Sequence, residues 1–260
     1  MQIIGGGAIY WTGASSNLSN SFFTNNTADS AGGAVRLDSI NGTLTNCTFI
    51  NNMVKNYFGG AVYWTGTNSN MESCTFINNY APQGDNVYWI WTVEEFLNKY
   101  SQINDHDYVM IKNGVGTPNN TIILNKKGIT ISSQGNVIFD GKGKNLHFEI
   151  TGSDVLVEKL TFRNFNFTGY GGAIVLAGNN DILKNCNFNN NRATAAGGGV
   201  VVWSNNCIIS GCTFSSNFAL QAGGGVNWWG NYGRLTDSTF IGNNASQAAD
   251  DLQWGAIMVL

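Results

Sequence analysis

Thr48-Phe-Ile-Asn-Asn52, followed by Gly59-Gly-Ala-Val-Tyr-Trp64, is the stretch that decides the fold, because both of its halves return along the chain. The first half reappears as Phe23-Thr-Asn-Asn26, Phe76-Ile-Asn-Asn79, Phe188-Asn-Asn-Asn191, Phe214-Ser-Ser-Asn217 and Phe240-Ile-Gly-Asn243. Phe162 stands 26 residues before Phe188, with Phe165 where the other copies have asparagine. The second half reappears as Gly6-Gly-Ala-Ile-Tyr-Trp11, Gly32-Gly-Ala-Val-Arg-Leu37, Gly171-Gly-Ala-Ile-Val-Leu176, Gly198-Gly-Val-Val-Val-Trp203 and Gly224-Gly-Val-Asn-Trp-Trp229. A fixed period of 26 or 27 residues means one supersecondary unit stacked repeatedly.

Side chains alternate along a strand, so a residue and its second neighbour share a face. Two places before each Phe stand Ser21, Cys47, Cys74, Leu160, Cys186, Cys212 and Ser238. Five places before it stand Leu18, Leu44, Met71, Val157, Leu183, Ile209 and Leu235, so this face looks inward. In the glycine-led strand, Ile9, Val35, Val62, Ile174 and Val201 read as inward, with Asn227 the exception. Tyr10, Arg36, Tyr63, Val175, Val202 and Trp228 then read as outward, since Arg36 is costly to bury. Trp11, Trp64, Trp89, Trp203, Trp229 and Trp254 read as core by the same alternation. A single coil buries too little apolar surface to offset the entropy of ordering it, so coils must stack and share ladder hydrogen bonds. The expected fold is all-β, a right-handed parallel β-helix with coils of about 26 residues.

The repeat lapses between Phe76 and Phe162. After Phe76 the glycine bend becomes Gly84-Asp-Asn-Val-Tyr-Trp89, and after Phe240 it becomes Ala249-Asp-Asp-Leu-Gln-Trp254. Two copies of one polar variant suggest two closing coils. Residues 92–103 carry a capping box at Thr92 and Glu95, a Trp91–Phe96 staple and an apolar stripe, which predicts one short capping helix. We therefore expect residues 1–91 to be the C-terminal coils of a first β-helix and 92–260 a second that starts with the helix. One continuous solenoid with a helical side insertion is the alternative.

Composition narrows the function. Charged residues make up 11% of the chain, against roughly 25% in ordinary globular proteins. Neutral polar residues, 38 asparagines among them, replace the missing charge. A net charge of −3 with scattered Lys and Arg leaves no footprint for nucleic acid. No apolar run approaches the ~20 residues of a membrane span. Met1-Gln-Ile-Ile4 is too short for the core of a signal peptide. Seven N-x-S/T sequons, at Asn17, Asn25, Asn41, Asn46, Asn119, Asn166 and Asn244, lean toward an extracellular surface, although many arise by chance in so Asn-rich a chain.

Catalytic groupings are sparse in the repeat. A glycosidase needs two carboxyl groups in the same or adjacent slots. Instead Glu72 neighbours Thr45, Glu158 neighbours Lys184, and Asp237 neighbours Gly211. No catalytic residue, metal site or cofactor is expected; Asp140 and Glu149, in the irregular coils, are where a polysaccharide-cleaving site would hide. His106 and His147 are the only histidines and lie far apart in sequence. Cys47 with Cys74, and Cys186 with Cys212, share a slot whose parallel Cβ vectors favour buried thiols over disulfides; Cys207 reads as core. The outward aromatics Tyr10, Tyr63, Tyr88 and Trp228 are the candidate ligand-binding residues, flat rings suited to sugar faces or a protein partner.

The paired Gly-Gly-Ala-[Ile/Val] and Phe-x-x-Asn motifs resemble the repeats of chlamydial polymorphic membrane proteins. More closely, the chain resembles the adhesin-like β-helix surface proteins of methanogenic archaea. Val137-Ile-Phe-Asp-Gly-Lys-Gly-Lys-Asn145, Ile150-Thr-Gly-Ser-Asp-Val155 and Leu160-Thr-Phe162 are similar to the start of their pectin-lyase-like domains. The resemblance implies an extracellular or cell-surface location and a non-catalytic, adhesive module whose partner is a glycan or a cell-surface protein. A polysaccharide lyase or hydrolase and a passive stalk are the alternatives.

Overall fold

The computed structural model describes residues 5–254, and Met1–Ile4 lies outside the described residues. The chain is a parallel β-solenoid that forms two compact units, one up to Ile111 and one from Lys112.

In the first unit the coils stack in register on three faces. Ile9–Trp11, Val35–Leu37, Val62–Trp64 and Val87–Trp91 make one face, and the last of these pairs with the start of Tyr108–Gly116. Asn17–Ser19, Thr43–Thr45 and Asn70–Glu72 make the second. Phe22–Thr24, Thr48–Ile50 and Thr75–Ile77 make the third. In the second unit Leu156–Glu158, Ile182–Lys184, Ile208–Ser210 and Arg234–Thr236 stack on one face. Leu160–Arg163, Asn187–Asn189, Thr213–Ser215 and Thr239–Ile241 stack beside them. Ile122–Leu124, Phe148–Ile150, Ile174–Leu176, Val200–Val202, Val226–Trp228 and Leu252–Trp254 complete it.

The repeated Phe becomes a column of stacked rings. Phe162, Phe188, Phe214 and Phe240 follow one another at centroid distances of 5.4, 4.9 and 4.9 Å. Phe23, Phe49 and Phe76 do the same at 5.0 and 5.1 Å. These spacings match the roughly 4.8 Å between hydrogen-bonded strands, so ring stacking and strand pairing impose the same rise.

The asparagine three places later is buried and runs a second ladder. Asn217 Nδ2 donates to Asn243 Oδ1 at 2.9 Å and to the Phe188 carbonyl at 3.0 Å. Its own Oδ1 accepts from both the backbone N–H and Nδ2 of Asn191. Asn52 repeats this with Asn79, Asn26 and Phe23. The preceding residue of the turn takes the left-handed conformation, as at Asn51 and Asn190 (φ 53°), which asparagine adopts more readily than most residues.

The Gly84-Asp-Asn and Ala249-Asp-Asp variants do one job. Asp85 Oδ1 accepts the Ala81 N–H, and Asp250 Oδ1 accepts the Ala245 N–H. Each carboxylate takes the place that a following coil's carbonyl takes elsewhere, as Tyr80 O does for the Val54 N–H. Asn86 Oδ1 and Asp251 Oδ1 receive the last Nδ2 of each ladder, from Asn79 and Asn243.

The helix is Val93–Lys99, continued by a 3₁₀ turn over Tyr100–Gln102, and it carries the capping box between Thr92 and Glu95. It belongs to the first unit. Glu95 Oε1 accepts the Asn68 N–H at 2.7 Å, and Lys99 Nζ donates to the Ser69 carbonyl at 2.7 Å.

One register differs from the sequence reading. Ile174 pairs with Val200 rather than Val201, Val175 pairs with Val201, and Leu176 pairs with Val202. The next coil follows, with Val202 opposite Trp228. Each of these coils has three consecutive glycines, and the sequence reading took the last two as the bend. The bend starts at the first: Gly197 and Gly223 carry the positive φ (68° and 61°) that Gly171 carries at 70°. Glycine takes this conformation most easily, because it has no Cβ to clash. A one-residue slip turns every side chain to the other face.

Because Asn217 satisfies four partners, Asn217→Ala strands two donors of Asn191. We expect a loss on the order of 3 kcal/mol, read as a lower urea midpoint, whereas the exposed Asn189→Ala stays within about 0.5 kcal/mol of the parent.

Candidate functional site

The register correction decides which aromatic rings reach solvent. Trp228 was expected outward and is 0% exposed. It occupies the inward slot of Leu176 and Val202, stacks on Trp254 at 4.4 Å, and packs closely on Gly233, where a Cβ would come within 2.2 Å of the indole. Trp203 and Trp229, expected in the core, are each 42% exposed. Each is one residue past the inward end of its strand, its N–H donating to the Leu176 or Val202 carbonyl. The distance from the repeated Phe carries the missing signal. Gly171, Gly197 and Gly223 all stand nine places after their Phe, and Trp203 and Trp229 fifteen places after theirs.

Trp203 and Trp229 form one exposed platform with Tyr170. Their ring planes differ by 8° and their centroids are 6.4 Å apart. Tyr170, in the turn before Gly171, sets its ring edgewise to both, 5.8 Å from Trp203 and 5.2 Å from Trp229. Edge-to-face contacts of this kind hold aromatic groups in a fixed arrangement. The sequence reading placed none of these three residues in a site.

The other expected aromatic residues form a different cluster. Tyr10 is exposed as expected, at 50%. Tyr63 and Tyr88 sit in the outward column but are buried. The coil from Phe49 to Phe76 holds one extra residue, and the displaced loop lays Phe58 over both tyrosines, at 5.8 and 4.5 Å. Tyr108 continues the stack 4.7 Å from Tyr88. Arg36 sits between Tyr10 and Tyr63, its guanidinium carbon 4.8 and 5.4 Å from their ring centres. Its Nη2 pairs with Asp38 at 2.7 Å, and Asp38 also accepts from Thr65 and Tyr10. Burial acts to raise the pKa of Asp38, but the bonds from Arg36 and Thr65 outweigh it and hold the carboxyl below its ordinary value. The pairing is self-contained and offers a ligand one open ring, Tyr10.

The acidic groups are spread through the scaffold. Glu72 pairs across to Thr45, and Glu158 to Lys184. Both oxygens of Asp140 are engaged, Oδ2 by Arg163 Nε at 2.8 Å and Oδ1 by Asn164 Nδ2 and the Lys142 N–H. Burial pushes its pKa up, but those three bonds prevail and keep it low. Among the described residues, no three His, Cys, Asp or Glu side chains are grouped to hold a metal. His147 stacks on Phe167 at 3.7 Å, and burial lowers its pKa despite the contact of Nδ1 with the Gly171 carbonyl. The five cysteines are free thiols; Cys207 is buried, and burial pushes its thiol up to about 11.

Two acids stand apart. Asp181 is fully buried, accepts the Val155 N–H, and is pushed by burial up to about 8. Asp107 is buried among the Val87 N–H, Trp89 Nε1 and Asn104 N–H, and burial still pushes it up to about 7.

Two family descriptions match parts of this geometry. A family described as a right handed beta helix region matches residues 146–253, which covers the platform and the second unit's Asn ladder. A Chlamydia polymorphic membrane protein repeat matches residues 20–37, one passage from the Phe23 turn through the Gly32 bend to Leu37. No curated protein and no solved structure matches the chain. No helix among the described residues is long and apolar enough to cross a membrane.

Two outcomes follow from these placements. Trp228→Ala opens a cavity in the core and costs about 3–5 kcal/mol, whereas Trp229→Ala leaves the denaturation midpoint near that of the parent. For Asp181, the raised folded value means that the acid is neutral in both states below about pH 4. Above that the unfolded chain ionises first. Stability therefore falls as pH rises toward about 8, and thermal melts at pH 5 and pH 8 record the loss. Asp181→Asn shrinks the difference between the two melts, and Asp107 keeps part of it.

Proposed function

We propose that this protein is a non-catalytic, surface-type β-helix module that binds a cell-surface ligand, carbohydrate or protein, through the exposed platform of Tyr170, Trp203 and Trp229. The platform carries the reading. Three large rings stand together at the surface, two of them on neighbouring coils in one slot. Surface aromatics gathered in this way mark interaction sites, while single exposed apolar residues do not. The scaffold supports it, because in-register strands, stacked Phe rings and a buried amide ladder set the rings on a stiff frame. The similarity of residues 20–37 to a polymorphic membrane protein repeat supports display at a cell surface, outside the cell.

The test is binding of the labelled whole chain to intact cells and to isolated surface polymers. Trp203→Ala and Trp229→Ala should each weaken binding by about tenfold, the size of one lost aromatic contact, with unchanged melting. Equal binding by parent and variants would show that the platform is not the site. No binding at all, with normal function of a larger parent after replacement by unrelated coils, would favour a passive stalk. Release of reducing ends or unsaturated products from a polysaccharide, lost in Asp140→Asn or Glu149→Gln, would make the protein an enzyme instead.

A further inference from the structure

Resting on that reading of the platform, the geometry points to an uncharged glycan as its ligand, lying across successive coils with sugar faces on Trp203 and Trp229. The charge distribution is the first argument. The three stacked stretches that build the platform and its borders are residues 167–180, 194–206 and 219–233, and none contains Asp, Glu, Lys, Arg or His. An acidic polysaccharide or a nucleic acid would find no cation there to pair with its charge, and such ligands depend on that pairing. A protein partner would meet rings without the arginine that commonly accompanies aromatic hot spots.

The second argument is a row of amides beside the rings. Two residues past each ring position stand Asn179, Asn205 and Asn231, all exposed. The Asn205 N–H donates to Asn179 Oδ1 at 2.9 Å, and the Asn231 N–H donates to Asn205 Oδ1 at 2.8 Å. Each pinned oxygen fixes its amide plane. Among the described residues, no partner holds the Nδ2 groups of Asn179 and Asn205. They are therefore donors held near one place, repeated at the coil interval, with a reduced ordering cost on binding. A neutral sugar presents a C–H face to an aromatic ring and hydroxyl oxygens at its rim, and the platform supplies partners for both. Tyr170 acts as a positioning residue that holds the two indoles in place through its edge contacts.

The whole chain is run by affinity electrophoresis and calorimetry against neutral β-glucan, mannan and galactan, and against polygalacturonate and hyaluronate, at low and high salt. We expect at least one neutral polymer to bind with little dependence on salt. Binding should fall about tenfold in Trp203→Ala or Trp229→Ala and several-fold in Asn205→Ala, with melting unchanged. Binding confined to the acidic polymers, weakened by salt and indifferent to the Trp variants, overturns the inference. Platform-dependent binding to cells that no neutral polymer competes away also overturns it, while leaving the proposed function standing. Concentration-dependent dimers in sedimentation that Trp229→Ala dissolves would name a second copy as the occupant instead. Binding to neither cells nor polymers removes both readings.

Discussion

Each coil passes one buried amide to the next, and this exchange sets the rest of the structure. Asn191, Asn217 and Asn243 lie where water does not reach, so every polar atom they carry needs a protein partner. The partner for one side of each amide is the same amide one coil on. That requirement fixes the rise and the register, and an extra residue, as between Phe49 and Phe76, has to be taken up in a loop so that Asn52 still meets Asn79. The Phe column agrees with it, since its ring spacings of 4.9–5.4 Å lie close to the strand spacing of roughly 4.8 Å.

A chain of like-oriented amides must end somewhere, and both ladders end on an oxygen. Asn243 donates to the carboxylate of Asp251, a charge-assisted bond stronger than one between neutral amides. Asn79 donates to Asn86, whose own Nδ2 is taken by the Asp105 carbonyl at 2.6 Å. The neighbouring Asp85 and Asp250 finish the adjoining strand stacks. In a chain so poor in charge, these acids are placed where the repeat stops.

Much of this was legible in the sequence, and the failures have physical causes. The Phe, Cys and Asn columns and the pairing of Glu72 with Thr45 follow from counting along a fixed period, and the capping box from the local spacing of Thr92 and Glu95. The site did not. Gly197-Gly-Gly199 and Gly223-Gly-Gly225 allow two readings of where the bend begins, and the pattern of Val and Trp that follows fits either. Backbone φ separates them, and glycine gives no side-chain clue to it. One residue of slip exchanged Trp228 for Trp229 and hid Trp203. Tyr63 and Tyr88 failed differently: their column is outward, but the residue added near Tyr57 swings Phe58 over them. An insertion acts on side chains far along the chain, which a column-by-column reading does not follow.

The two outward aromatic regions show how the same scaffold yields different surfaces. The slot of Trp203 and Trp229 in the second unit, one residue past the inward end of the strand, corresponds to that of Asp38 and Thr65 in the first. There Asp38 neutralises Arg36 and bonds Thr65, so the slot closes on itself. In the second unit the slot holds indoles, the column beside it holds Val175, Val201 and Asn227, and no charge is present to draw the rings into internal pairs. Among the described residues they share one further aromatic neighbour, Tyr170, whose ring plane stands steeply to both, and indole surface stays open. The buried ladder fixes where the slots are, and the residue in each slot decides whether that surface is spent on the fold or left for a ligand.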